Sequence, residues 1–235
     1  MIDTHCHILP GLDDGPADLE TALTMARIAE HDGIRAIIAT PHVGANGSRL
    51  TPDIIRERTA AFNEALQQAA IQLTVYPGAE VRITDTLCQE LEAGEHMTLA
   101  DRGKHLLIEL PFNSYPAYAG ELFFNLQVMG IIPVLAHPER TAMLRAHPEV
   151  VWGLADRGAL LQVNLDSLQG RAGWGVRLQA LRLLKRGAVH LLASDAHDPR
   201  NRPPILSTAR KVLRRLGGEE AFQRLVIAGP QSLLQ

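Results

Sequence analysis

Several short stretches of this sequence place histidine and carboxylate at spacings that suit metal chemistry. They are Asp3-Thr4-His5-Cys6-His7, Thr40-Pro41-His42, His137-Pro138-Glu139-Arg140 and Ser194-Asp195-Ala196-His197. Residues two apart in an extended segment point to the same side, so His5 and His7 can converge on one ion. The same spacing joins Asp195 to His197. Glu80, closing Gly78-Ala79-Glu80, and Glu109 add two carboxylates. Imidazole mixed with carboxylate suits Zn²⁺, Mn²⁺ or Fe, whereas an all-oxygen set suggests Mg²⁺ or Ca²⁺. These eight candidate ligands exceed what one ion takes, which implies two or three divalent ions with a bridging carboxylate.

Other residues have two readings each. Asp13 and Asp14 precede Gly15-Pro16, so each can cap a helix or supply a metal oxygen. Arg140 and Arg202 follow the His137 and His197 corners, where a guanidinium fork can clamp a phosphate; a solvated surface role is the alternative. His31, His96, His105, His147 and His190 fall in helices, loops or strand interiors and read as ordinary surface or core residues. Cysteine chemistry is disfavoured. A cysteine phosphatase needs a five-residue phosphate loop and then Arg, but Leu12 lies six residues after Cys6 and Gly94 six after Cys88. Each thiol therefore reads as a bystander.

The elements that must position these groups follow from the apolar pattern. Ile2–His5, Arg35–Thr40, Gln72–Tyr76, His105–Leu110, Ile131–Ala136, Ala159–Asn164 and Ala188–Ser194 read as seven strands, nearly continuous in apolar residues as strands covered on both faces are. Helical patterns lie between them, over Asp18–His31, from Thr51-Pro52-Asp53 to about Ala70, and near Tyr115–Met129, Pro148–Asp156, Gly175–Lys185, Pro204–Leu216 and Glu219–Ile227. Alternating strands and helices predict an α/β fold with a parallel sheet, and seven units predict a closed, TIM-like barrel. In such a barrel the active site sits at the C-terminal strand ends, where six of the seven strands deliver a His, Asp or Glu. No linker or repeat divides the chain, so residues 1–235 read as a single domain, with mobile loops at Val43–Leu50 and Asp195–Pro204.

Composition sets the class. The 235 residues are 46% hydrophobic, enough for a sizeable core, and carry 23 basic against 26 acidic groups for a net charge of −3. That balance is no footprint for nucleic acid or an anionic membrane. No apolar run approaches a membrane span and Met1-Ile2-Asp3 does not open a signal peptide, so the expectation is a cytoplasmic protein.

The motifs MIDTHCHILPGLDDG, IIATPH, Gly78–Glu80, LLIELP, LAHPER and LLASDAH together resemble the PHP (polymerase and histidinol phosphatase) superfamily. More narrowly, they are similar to its bacterial metal-dependent tyrosine-phosphatase branch, the CpsB/CapC/YwqE type of capsule and exopolysaccharide synthesis. The resemblance runs from Met1 to about Arg202 and implies a distorted seven-stranded (β/α) barrel with a trinuclear, typically manganese-supported site. Carried over by position, His5, His7, Glu80 and Asp195 would hold one ion; Glu80 would bridge to a second completed by Glu109 and His137. His42, His197 and Asp14 would hold the third. Many PHP relatives have His where this chain offers Asp13 or Asp14 and Glu109, a departure that matches the tyrosine-phosphatase branch. The implied reaction is hydrolysis of a phosphotyrosyl protein, such as the tail of a bacterial tyrosine kinase, by a metal-activated water, with Arg140 or Arg202 neutralising phosphoryl oxygens. Three rivals remain: a small-molecule phosphatase such as histidinol phosphatase, a metal-dependent amidohydrolase, and a non-catalytic pseudo-phosphatase that docks a kinase. The amidohydrolase reading lacks a strand-end Lys to carboxylate, and an intact ligand set argues against the pseudo-phosphatase.

Overall fold

Each of the seven apolar runs forms a strand in the computed structural model, which describes residues 1–44 and 50–235. Most of the predicted mobile loop, residues 45–49, lies outside the described residues. The described strands are β1 (Ile2–Cys6), β2 (Ala36–Ala39), β3 (His42–Val43), β4 (Thr74–Tyr76), β5 (Glu80–Arg82), β6 (His105–Glu109), β7 (Ile132–Ala136), β8 (Leu160–Asn164) and β9 (Leu191–Ala193). Every pairing is parallel, in two sheets ordered β1-β2-β4 and β3-β5-β6-β7-β8-β9.

The two additional strands, β3 and β5, have a local cause. Pro41 and Pro77 have no N–H to give a ladder, so Thr40-Pro41 separates β2 from β3 and Pro77-Gly78-Ala79 separates β4 from β5. The interruption re-pairs the chain, and His42 comes to lie opposite Glu80. The expected parallel α/β fold is met, but the strands form two sheets rather than one closed barrel. β1 and β9 do not pair as strands; an isolated parallel bridge joins Cys6 to Ala196. Around it the Asp195 N–H donates to the His5 carbonyl at 2.8 Å and the His7 N–H to the Ala196 carbonyl at 2.9 Å. The architecture established is therefore parallel α/β, without detected sheet closure.

The strands bury apolar side chains on two sides. Ile37, Leu106, Ile108, Leu135 and Leu161 pack in the larger core with the helices, while Ile38, Leu107, Val134, Ala136 and Leu191 form a second cluster. Alternate residues of one strand thus enter different cores, which is why the runs lack a polar face.

Helix starts follow their capping signals. Leu19–Asp32 begins at Asp18, whose carboxylate accepts the Thr21 N–H, and Pro52–Gln68 begins at Thr51, whose hydroxyl accepts the Ile54 N–H. Asp13 and Asp14 cap neither. Other predicted helices are shorter than expected. One is shortened to Ala119–Val128. The stretch from Pro204 is held by Asp32, which accepts the Leu206 and Ser207 N–H groups and the Ser207 hydroxyl, so the helix is only Ala209–Leu213. The expected Glu219–Ile227 helix runs as Gly218–Gln223 and then a π-helical turn, Arg224–Ala228. Among the described residues no helix is long and apolar enough to cross a membrane.

Candidate metal centre

His5 and His7 leave β1 on the same side, as their spacing predicts, and their Nε2 atoms face each other at 3.2 Å. Each ring is fixed from behind. His5 Nδ1 lies 2.8 Å from Gln162 Oε1, and His7 Nδ1 lies 2.6 Å from Asp13 Oδ2. With Gln162 oriented to donate through its own NH₂ to Asn164 Oδ1, both rings carry their proton at Nδ1 and turn the Nε2 lone pair inward.

Glu80 sits at the middle of the cluster. Its Oε2 lies 3.2 Å from His5 Nε2, 3.3 Å from His7 Nε2 and 3.1 Å from His42 Nδ1, while Oε1 lies 2.9 Å from His137 Nε2. The β3–β5 register places His42 directly beside it. Glu109, at the end of β6, approaches His137 at 4.0 Å and accepts from Arg82 at 3.0 Å, because Arg82 and Glu109 are register partners. Asp195 turns one oxygen, Oδ1, toward His5 and His7, each at 3.4 Å. Its other oxygen, Oδ2, accepts from Asn164 at 2.6 Å and Arg140 at 3.0 Å and is ion-paired with Arg202 Nη2 at 2.7 Å. His197 and His42 converge on Asp14 Oδ1, at 3.4 Å and 3.6 Å.

Backbone shape contributes to this convergence. His137 follows β7 at φ 31° and Asp195 follows β9 at φ 51°, left-handed conformations that non-glycine residues adopt at some energetic cost. In both places the turn brings the side chain back toward Glu80 and the two β1 histidines. Gly15 lets the Asp13-Asp14 loop close on β1, since a Cβ there would collide with the His7 carbonyl.

The donor set fits a metal. Four overlapping groups each gather nitrogen and oxygen donors within 4.8 Å: His5, His7 and Glu80; His5, His137 and Asp195; His42, Glu80 and Glu109; and His7, Asp14, His42 and His197. Glu80 Oε2 is buried with no hydrogen-bond partner, and two imidazole lone pairs at 3.2 Å need a cation between them. Without the ion, protons take that role. Burial disfavours charge on His137, yet its bond to Glu80 raises the imidazole to about 9. Burial likewise opposes ionisation of Asp13, but the His7 hydrogen bond and charge hold it at about 2. His197 is the exception, lowered to about 4 by burial and by the charge on His7. A binding ion displaces the shared protons, so affinity depends on pH.

The other histidines stay apart: His96 pairs with Glu90, His147 with Glu149, and His190 accepts from the Leu161 N–H. His105 is buried in β6, and burial lowers it to about 4.

Residues 1–235 match the family described as capsular polysaccharide synthesis, CpsB/CapC. The chain belongs to the CpsB/CapC family. It is 41% identical over 220 residues to the tyrosine-protein phosphatase YwqE of Bacillus subtilis, covering 94% of this chain and 86% of that one. It is 28% identical over 239 residues to the tyrosine-protein phosphatase CpsB of Streptococcus pneumoniae, covering 100% and 98%. A solved structure from work on YwqE and CpsB, described there as unique metal-dependent tyrosine phosphatases, superposes with a TM-score of 0.95 at 39% identity, covering 100% of this chain and 94% of that one.

Within this CpsB/CapC chain, Asp13 and Asp14 have different surroundings. Asp13 is buried behind His7 and also accepts the His42 N–H at 3.1 Å, while Asp14 reaches His42 and His197 from an exposed position. Asp13→Ala should therefore lower metal affinity by about 10- to 100-fold, read by competition with a chelator, with the fold unchanged in circular dichroism. Undiminished affinity would show that His7 is oriented without it. Cys6 is fully buried, and burial, aided by the Asp3 and Asp195 charges, pushes its thiol well above the ordinary range. Cys6→Ser should keep most activity; its loss with metal content and fold intact would revive cysteine chemistry.

Sequence reasoning missed Gln162, Asn164 and Arg82. Gln162 and Asn164 interrupt the apolar run of β8 two residues apart, a same-face polar pair that is visible in the sequence. Arg82 carries no such signal.

Proposed function

We propose that this chain is a metal-dependent protein-tyrosine phosphatase that acts on a phosphotyrosyl protein in capsule or exopolysaccharide synthesis. The observation that carries this reading is the cluster around Glu80 Oε2, three imidazole nitrogens within 3.3 Å of an unpartnered buried carboxylate oxygen, in a CpsB/CapC chain. His5, His7, Glu80 and Asp195 would hold the first ion, with Glu80 shared with a second at Glu109 and His137. His42, His197 and Asp14 would hold a third. Mn²⁺ is the ion we favour for this mixed imidazole and carboxylate set. When bound, such ions acidify water and neutralise phosphoryl oxygens, the two contributions that phosphomonoester hydrolysis needs.

The protein's own groups do the rest. Gln162 and Asp13 keep the Nδ1 protons of His5 and His7 in place, so both rings present their lone pairs without reorganisation. Arg140 and Arg202 flank Asp195 and supply positive charge beside the cluster, where a phosphoryl group develops negative charge. A phenolate leaves readily, so protonation of the leaving group is less demanding for phosphotyrosine than for phosphoserine.

We further assign the substrate as the tail of a tyrosine kinase, the location as the cytoplasm, and residues 1–235 as one distorted seven-stranded (β/α) barrel domain. The separate apolar clusters on the two sides of the strands and the Cys6–Ala196 bridge support the barrel. Two free cysteines suit a reducing compartment. The test is to assay the metal-loaded protein against phosphotyrosyl peptide, phosphoseryl peptide and histidinol phosphate side by side. Preference for histidinol phosphate would overturn the protein-phosphatase reading in favour of a small-molecule enzyme.

A further inference from the structure

Several surface cations carry their own carboxylate: Arg56 pairs with Asp53 and Asp101, Arg186 with Asp156, and Arg210 with Glu219. One groove differs. A cavity of about 870 Å³ opens between the helices Leu165–Gln169, Trp174–Lys185 and Ala209–Leu213, lined by Arg171, Arg177, Lys185, Lys211 and Arg215. No Asp or Glu is among its described lining residues. Arg177 donates through Nε to the Leu168 carbonyl at 3.1 Å and packs over Trp174. The side chains of Arg171, Lys185, Lys211 and Arg215 have no ion pair or hydrogen bond among the described residues. Five positive charges thus share one concavity in a chain whose net charge is −3.

Two further features narrow the ligand. Leu181, Val212 and Leu216, all partly buried, line the same groove, so its cations surround an apolar surface. A flat anionic bilayer matches such a concavity poorly, and a phosphate backbone offers its apolar lining little, whereas an acidic peptide supplies both kinds of contact. The groove also adjoins a second cavity that borders residues beside the metal centre. That smaller cavity of about 70 Å³ shares Gln169, Arg171 and Thr208 with the groove and is lined as well by Asp166 and Arg202. Gln169 Nε2 donates to Thr208 Oγ1 at 2.8 Å where the two cavities meet. Asp166 and Arg202 are in turn the partners of Arg140 and Asp195.

We propose that this groove binds an acidic segment of the phosphotyrosyl protein substrate, flanking the tyrosine whose phosphate lies at the metal centre. The proposal rests on the tyrosine-phosphatase reading of that centre. It makes charge beside the phosphotyrosine a specificity determinant, read by residues that take no part in the chemistry.

The test uses the metal-loaded full chain and the triple variant Arg171→Gln/Lys211→Gln/Arg215→Gln. Both are assayed on a phosphotyrosyl peptide flanked by glutamates, the same peptide flanked by glutamines, and p-nitrophenyl phosphate. The variant should raise KM for the glutamate peptide about tenfold at low salt and abolish its preference over the glutamine peptide. Its kcat and its turnover of p-nitrophenyl phosphate should stay at wild type, and added salt should narrow the difference between the proteins. Equal KM for the two peptides in the wild type, or an unchanged KM in the variant, would overturn the proposal. Anisotropy of a labelled, unphosphorylated glutamate-rich peptide supplies a readout independent of turnover. Binding that the variant loses, in a protein that hydrolyses no phosphotyrosyl peptide, would support the groove and overturn the activity reading alone. Loss of binding to phosphatidylserine vesicles, with neither peptide affected, would replace the peptide with a membrane surface.

Discussion

Exhaustive chelation should reduce phosphatase turnover to background, and readdition of Mn²⁺ should restore it in proportion to the ions bound. The reason lies in what remains when the ions leave. Glu80 and Asp195 are held as carboxylates well below their usual range although burial favours their neutral forms; the His5 charge is foremost in opposing it, joined by hydrogen bonds to Glu80 from His137 and to Asp195 from His7. In the metal-free cluster the His7 and His137 imidazoles, raised by their carboxylate partners against burial, are ion-paired with those carboxylates. The carboxylates that would hold the ions are tied up in that network, and Cys6 is buried as a thiol. His137→Ala should lose metal and activity together, since it removes the imidazole that lies 2.9 Å from Glu80 Oε1 and that we propose as a metal ligand. Elemental analysis of the restored protein should find two to three ions per chain. Full turnover with no detectable metal would sink the mechanism.

Much of this cluster could be read in the sequence because strand geometry is local. His5 in β1 and His7 just past its end share a side as two-residue spacing in extended chain predicts, and the same holds for Gln162 and Asn164 in β8. Helix starts with a local oxygen cap, at Asp18 and Thr51, were readable for the same reason. What depended on distant partners was not. Nothing in Asp13-Asp14 says which carboxylate turns inward; that follows from the loop closing over His7, where Gly15 has no Cβ to obstruct it. The Arg82–Glu109 pair depends on the β5–β6 register, and the shortened helix before Ala209 on Asp32, far away in sequence. The split of β2 from β3 lies between these cases. Pro41 marks the break, but only the pairing partner shows that it brings His42 to Glu80.

Arg140→Ala should lower kcat/KM by about two to three orders of magnitude, the scale associated with removing one charge-stabilising donor. The guanidinium is four-fifths enclosed, with Nη1 on Asp195 Oδ2 at 3.0 Å, Nη2 on Asp166 at 2.9 Å, and Nε buried without a partner. Guanidinium offers no lone pair to a metal, so any role of Arg140 is through charge, hydrogen bonding or its grip on Asp195. The structure separates these contributions. Asn164, by a hydrogen bond, and Arg202, by an ion pair, also hold Asp195 Oδ2 and remain in the variant. Metal content should therefore stay near wild type, and the loss should fall on phosphate recognition. The deficit should be of similar size for a phosphotyrosyl peptide and p-nitrophenyl phosphate, because both present the same phosphoryl group. Arg140→Lys should recover only part of the rate, since one ammonium cannot reproduce the fork that reaches Asp195 and Asp166 together. Arg202→Ala, which removes a single 2.7 Å contact from a more exposed side chain, should have a smaller effect. Lost metal in Arg140→Ala would make the residue a support for Asp195; wild-type kinetics would shift phosphate binding to Arg202.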